Sequence, residues 1–132
     1  MTRAELNGVR FLMDEQAKVR LELSELRKKS AAIVPAINGL PHGNSVRSKV
    51  EALAIKIMAQ EERIANYTAA IKLAQAGLLD MILSKSVKPA EQTVAILRYV
   101  EGLTTDEIAK RTGITRRHVC RLRASAVKKM SS

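Results

Sequence analysis

Between positions 46 and 81, apolar side chains return at alternating steps of four and three without a slip. The positions are Val46, Val50, Leu53, Ile57, Gln60, Ile64, Tyr67, Ile71, Ala74, Leu78 and Met81, and ten of the eleven are apolar. A strand turns successive side chains to opposite faces, so it cannot keep such a series on one side. A helix keeps it on a single seam. The run therefore predicts one helix of about 36 residues, some 50 Å long at 1.5 Å per residue. Gly77 is a weak point late in it and a candidate bend.

A shorter seam precedes it. Val9, Leu12, Gln16, Val19, Leu23, Leu26, Ser30 and Ile33 follow the same alternation, with charges such as Glu15, Lys18, Arg20, Glu22 and Lys28 beside it. It predicts a helix from about residue 2 to 34, stopped by Pro35, which lacks an N–H and crowds the preceding turn. The stretch PAINGLPHGN at 35–44 holds two Pro, two Gly and two Asn, and reads as a loop. Two seams joined by a short loop form an antiparallel helical hairpin of coiled-coil character. The second seam is longer by roughly three turns. Those surplus turns need cover from the C-terminal segment or from another subunit. A homodimer through the hairpin is the expectation, with Gln16 and Gln60 as polar positions that set register.

Composition agrees with helices. The chain has 132 residues, no Trp, one Phe and two Tyr, too few aromatics for a β-sandwich or barrel. Cys120 is the single cysteine, so no intrachain disulfide can form, which suits a reducing cytosol. No apolar run approaches the ~20 residues needed to cross a bilayer, and MTRAELNGVR lacks the apolar core of a signal peptide. The expected location is the cytoplasm, at the nucleoid, with no membrane association.

The net charge of +10 is uneven. Residues 1–30 and 31–87 carry +2 each, whereas 88–132 carry ten basic and four acidic side chains. Glu107 is the last acid of the chain. A positive field at one end points to a polyanion partner there; charge alone does not exclude anionic lipid.

From Lys88 onward the pattern changes to short punctuated helices. Pro89 suits a first helical turn, Glu91 its positive end, and Gly102 a stop after an inner face of Val94, Leu97 and Val100. Thr104-Thr105-Asp106-Glu107 matches the capping box that opens a helix. That helix carries Ile108 and the small Ala109 inward and ends at Gly113, and Thr115 caps a further helix through about Lys129. Helix, glycine turn, helix is the helix-turn-helix layout. Ile108, Ile114, Val119 and Leu122 make its shared core, with Ala126 extending the last helix's apolar stripe. Arg116, Arg117, Cys120 and Arg121 then face outward, with His118 at the margin. This is the face that enters a major groove, where an Arg fork matches guanine O6 and N7. Thr115 and the free N–H groups of the helix start suit a phosphate oxygen.

The stretch ILRYVEGLTTDEIAKRTGITRRHVCRLRASAVKKM, 96–130, resembles region four of bacterial sigma factors and their relatives. It has, in order, a helix ending R-Y-x-E-G, an E-I-A helix, a G-I-T turn and a recognition helix ending A-x-x-K-M. The resemblance covers the C-terminal third. It implies a domain that binds the promoter −35 element through Thr115, Arg116, Arg117, His118 and Arg121, with Thr104, Thr105 and Arg123 touching phosphates or base edges. A complete sigma factor also needs an aromatic-rich domain to melt promoter DNA. The three aromatics here, Phe11, Tyr67 and Tyr99, do not supply one. The whole layout is similar to small regulators of late genes in phages and prophages.

On this reading the protein is all-α. Residues 1–87 form a hairpin arm for oligomerisation or partner binding, and 88–132 a three-helix helix-turn-helix domain. It is expected to regulate transcription by binding double-stranded DNA in a sequence-specific way. It is not expected to be an enzyme, because no nucleophile elbow, phosphate-cradling loop or carboxylate cluster is present. With one Cys and two His, no metal or other cofactor is expected either. Two other readings fit the sequence: an adaptor that docks on RNA polymerase, and the DNA-recognition subunit of a phage packaging terminase.

Overall fold

In the computed structural model the backbone is described for residues 3–38 and 44–131, and the side chains for 4–32 and 47–131. The fold is all-α. Helix α1 covers Arg3–Leu6, α2 Gly8–Asn38, α3 Asn44–Ser84, α4 Pro89–Ala95, α5 Thr105–Thr112 and α6 Arg116–Ser131. A π-helical turn, Ile96–Val100, continues α4. Helix α3 runs unbroken through Gly77.

The helical stop expected at Pro35 is corrected: α2 continues to Asn38. Proline deletes one N–H, but its fixed φ near −65° is itself helical. Close to the end of a long helix, one lost hydrogen bond leaves the final turn in place. Of the expected 35–44 loop, residues 39–43 lie outside the described residues. So do the side chains of the seam positions Ile33 and Val46.

The chain forms two compact units, Asp14–Thr68 and Met1–Met13 with Ala69–Ser132. In the first, α2 and α3 run antiparallel as an arm. Gln16 Nε2 donates to Ile64 O at 3.1 Å and to Thr68 Oγ1 at 2.7 Å. Further along, Gln60 Nε2 donates to Glu22 Oε2 at 2.8 Å. As numbers rise on one helix they fall on the other. Val19 and Leu23 are buried on the first seam, and Val50, Leu53, Ile57, Ile64 and Tyr67 half-buried on the second. The two seam glutamines thus set register inside the arm, because each finds a polar partner on the opposite helix.

The second unit closes around the end of α3. Leu6 and Val9 from the chain start meet Ile71, Leu78 and Ile82 of α3, Ala95, Tyr99 and Val100, and Ala126 and Met130 of α6. Leu6, Val9 and Ile82 are at most 1% exposed, each worth about 1.5–3 kcal/mol of burial. Gln75 Nε2 donates to Val100 O at 2.8 Å and ties α3 to the π turn. The surplus turns of the long seam are therefore covered by the C-terminal segment of the same chain, one of the two covers expected for them. For the same reason the unit's limits differ from a break at 87/88. Residues 69–87 and 1–13 supply half of the core that α4 and α6 need.

Candidate nucleic-acid interface

A second cluster within this unit holds the helix-turn-helix together. Val94, Leu97, Ile108 and Val119 are buried, with Leu103, Ala109, Ile114 and Leu122 packed against them. The π turn explains how one helix serves two cores. An extra residue per turn directs Leu97 into this cluster, while Tyr99 and Val100 enter the other. The periodicity of 89–100 shows no such turn. Arg98 Nη1 donates to Leu103 O at 3.0 Å and holds the strap that leads into α5.

Helix α5 opens on the expected capping box. The Thr104 hydroxyl accepts from Glu107 N at 3.2 Å and donates to Glu107 Oε1 at 2.9 Å. It is therefore engaged within the chain, and Thr105 is half-buried as the first residue of α5. Helix α5 ends at Gly113 with φ 74°, the left-handed conformation that glycine adopts without a Cβ clash. Ile114 N then donates to Thr112 Oγ1 at 3.4 Å. At the start of α6, His118 N donates to Thr115 Oγ1 at 3.3 Å. A hydroxyl that accepts one bond retains its own O–H, so Thr115 can still donate to a phosphate oxygen.

With Val119 buried and Leu122 half-buried, α6 turns Arg116, Arg117, Cys120, Arg121 and Ala124 together along one open face. Thr115, Arg116, Arg117, His118 and Arg121 are exposed, and Cys120 and Arg123 half-buried. Arg116 Nε lies 3.5 Å from Asp106 Oδ1, an exposed pair of small energetic worth. No carboxylate among the described residues lies within 4.0 Å of Arg117, Arg121 or Arg123. An ordinary solvated helix face interleaves acids and bases three or four residues apart. Helix α6 carries six basic side chains and no acid. Two of its arginines occupy the first turn, where the helix dipole disfavours cations. Folding alone gains nothing from that arrangement; an anion set against it would.

Burial first, and then the charges of Arg10 and Arg123, push the Arg98 guanidinium below its ordinary range. Arg10, Arg98 and Arg123 thus come from three separate elements to share one positive field. The R-Y-x-E-G pattern contains Arg98, but nothing local in the sequence brings the charge of Arg10 to bear on it.

Beneath α6, Glu91 of α4 is buried and receives Ser125 Oγ and Lys129 Nζ, each at 2.8 Å. The hydrogen bond from Lys129, then that from Ser125, hold its carboxyl below the usual range against the opposing effect of burial. Among the described residues, no three His, Cys, Asp or Glu side chains gather to hold a metal ion. No described helix is long and apolar enough to cross a membrane.

Residues 85–132, about a third of the chain, match the family model of sigma-70, region 4. No curated protein and no solved structure matches the chain. The C-terminal segment is a DNA-binding helix-turn-helix domain similar to sigma-70 region 4.

Proposed function

We propose that the protein is a sequence-specific transcriptional regulator that binds promoter DNA through α6. The observation that carries this reading is the outward face of Arg116, Arg117, Cys120 and Arg121, to which α6 contributes no acid, set on a buried underside at the start of a capped helix. Such a face enters a major groove, and each Arg fork suits guanine O6 and N7. Thr115 and Arg123 suit flanking phosphates. The chain acts by binding rather than by catalysis, in the cytoplasm at the nucleoid. Its likeness to sigma-70 region 4 supports a contact with RNA polymerase as part of the same action. The joining of a helical arm to this domain supports a phage or prophage origin. A homodimer through the helical arm would present two recognition helices, and then repeated or palindromic half-sites are expected.

Selection of bound duplexes from a random pool tests the proposal. One enriched motif is expected. Arg117→Ala and Arg121→Ala should each weaken binding to it about 5- to 150-fold, equivalent to ~1–3 kcal/mol, and weaken random DNA less. No enrichment, or equal losses on all sequences, would overturn sequence-specific reading in favour of a polymerase-binding adaptor.

A further inference from the structure

The charge on the arm is sharply divided. Residues 27–56 carry Arg27, Lys28, Lys29, Arg47, Lys49 and Lys56 against one acid, Glu51. The rest of the unit, 14–26 and 57–68, carries three basic and six acidic side chains. Because α2 and α3 run antiparallel, the basic parts of both helices share one end of the arm. Where the basic and acidic parts of the arm meet, cations have acids across the helices: Arg63 lies 3.8 Å from Glu22, and Arg27 3.1 Å from Glu61.

Beyond Lys28 toward the end of the arm this pairing stops. Lys29, Lys49 and Lys56 line one open hollow with Ala32, Ala52 and Leu53. All three lysines are exposed, and no carboxylate among the described residues lies within 4.0 Å of any of them. Lys49 and Lys56 are seven residues apart, about 10.5 Å along α3 on the same side of the helix. Three like charges round one hollow that no acid lines give it a positive field that attracts an anion.

The chemistry of the hollow selects the kind of anion. Lysine ammonium groups are compact charges on flexible stems, suited to phosphates without regard to sequence. A lipid surface would also need large apolar side chains beside the lysines. The hollow offers only Ala32, Ala52 and Leu53. The exposed Ile55 and Met58 lie roughly 110° and 170° round α3 from its centre, at 100° per residue.

We infer that this basic end of the arm is a second contact for the phosphate backbone of duplex DNA, independent of sequence. It rests on the reading of the protein as a DNA binder and adds affinity without adding specificity. Each phosphate neutralised steepens the fall of log K with log salt by about 0.9.

The test uses the full chain and a duplex of about 40 base pairs containing the selected motif, long enough at 3.4 Å per base pair to reach beyond it. Binding is titrated across salt for the wild type and for the Lys29→Ala, Lys49→Ala, Lys56→Ala triple variant. The triple variant should lose up to about 2.7 from the slope, so that raising salt from 50 to 200 mM costs the wild type about 40-fold more affinity than the variant. Its preference for the motif over random DNA should be unchanged, and the corresponding triple Lys→Arg variant should restore the slope. An unchanged slope in a triple variant with wild-type circular dichroism overturns the inference. So does binding of the wild type, and not the variant, to phosphatidylserine vesicles with DNA slopes equal. Arg117→Ala reads the other question separately. If it leaves the motif preference intact while the triple variant loses slope, the recognition-helix reading fails and the arm contact holds.

Discussion

Glu91 and Lys129, thirty-eight positions apart in sequence, meet at 2.8 Å where α4 passes under α6. The carboxylate side chain is 7% exposed and also receives Ser125, so α6 is fastened on the side opposite its outward face. This contact sets the orientation of the recognition helix on its support.

It should make the domain sensitive to acid. The folded carboxyl titrates below its ordinary value near 4.3, so its contribution is present above that pH and is lost as pH falls through the lowered folded value. Urea unfolding of the wild type and of Glu91→Gln should therefore differ most near neutral pH, with the gap closing below about pH 4. A gap independent of pH would contradict the assignment.

Arg117→Glu should separate stability from binding. It replaces a cation with an anion in the first turn of α6 and sets an acid four residues before Arg121. Folding should become more stable by about 0.3–1 kcal/mol, while DNA affinity falls by at least about tenfold. Thermal melting and fluorescence anisotropy on the same samples read both.

The two threonine caps should behave differently. Thr104→Ala and Thr115→Ala each remove a cap worth about 1 kcal/mol of stability. The Thr104 hydroxyl both donates and accepts within its cap, so affinity per folded molecule should be unchanged there. Thr115→Ala should weaken DNA binding as well. Equal losses in the two variants would place Thr104 on the DNA.

Two glycine replacements should act in opposite directions. Gly113→Ala forces a Cβ into the left-handed turn and should cost about 1–2 kcal/mol, although the space around it is open. Gly77→Ala lies inside α3 with nothing within 4 Å of the added carbon, and should add about 0.5–1 kcal/mol. Urea midpoints measure both.

What depends on neighbours along the chain is legible in the residues alone. The three-four alternation predicts both long helices, and the Thr104–Glu107 box, Gly113 and Thr115 mark the turn between α5 and α6 to the residue. Burial of Val119 and half-burial of Leu122 follow from that turn, and so does the outward direction of Arg117 and Arg121. These signals are local because a cap, a turn or a seam is completed within one or two helical turns. Pro35 misled for a related reason: its local penalty is real, but a long helix already formed absorbs it.

Which faces meet is set by packing between distant segments. A seam of apolar residues states that it must be covered, without saying by what, and α3 finds its cover in α4, the π turn and α6. Nothing periodic marks the π turn that sends Leu97 and Val100 into different cores. The field shared by Arg10, Arg98 and Arg123 joins residues from three elements, as does the convergence of Glu91, Ser125 and Lys129 from two. Such groupings arise from side chains distant in sequence and close in space, because long-range packing brings charges together that no local pattern orders.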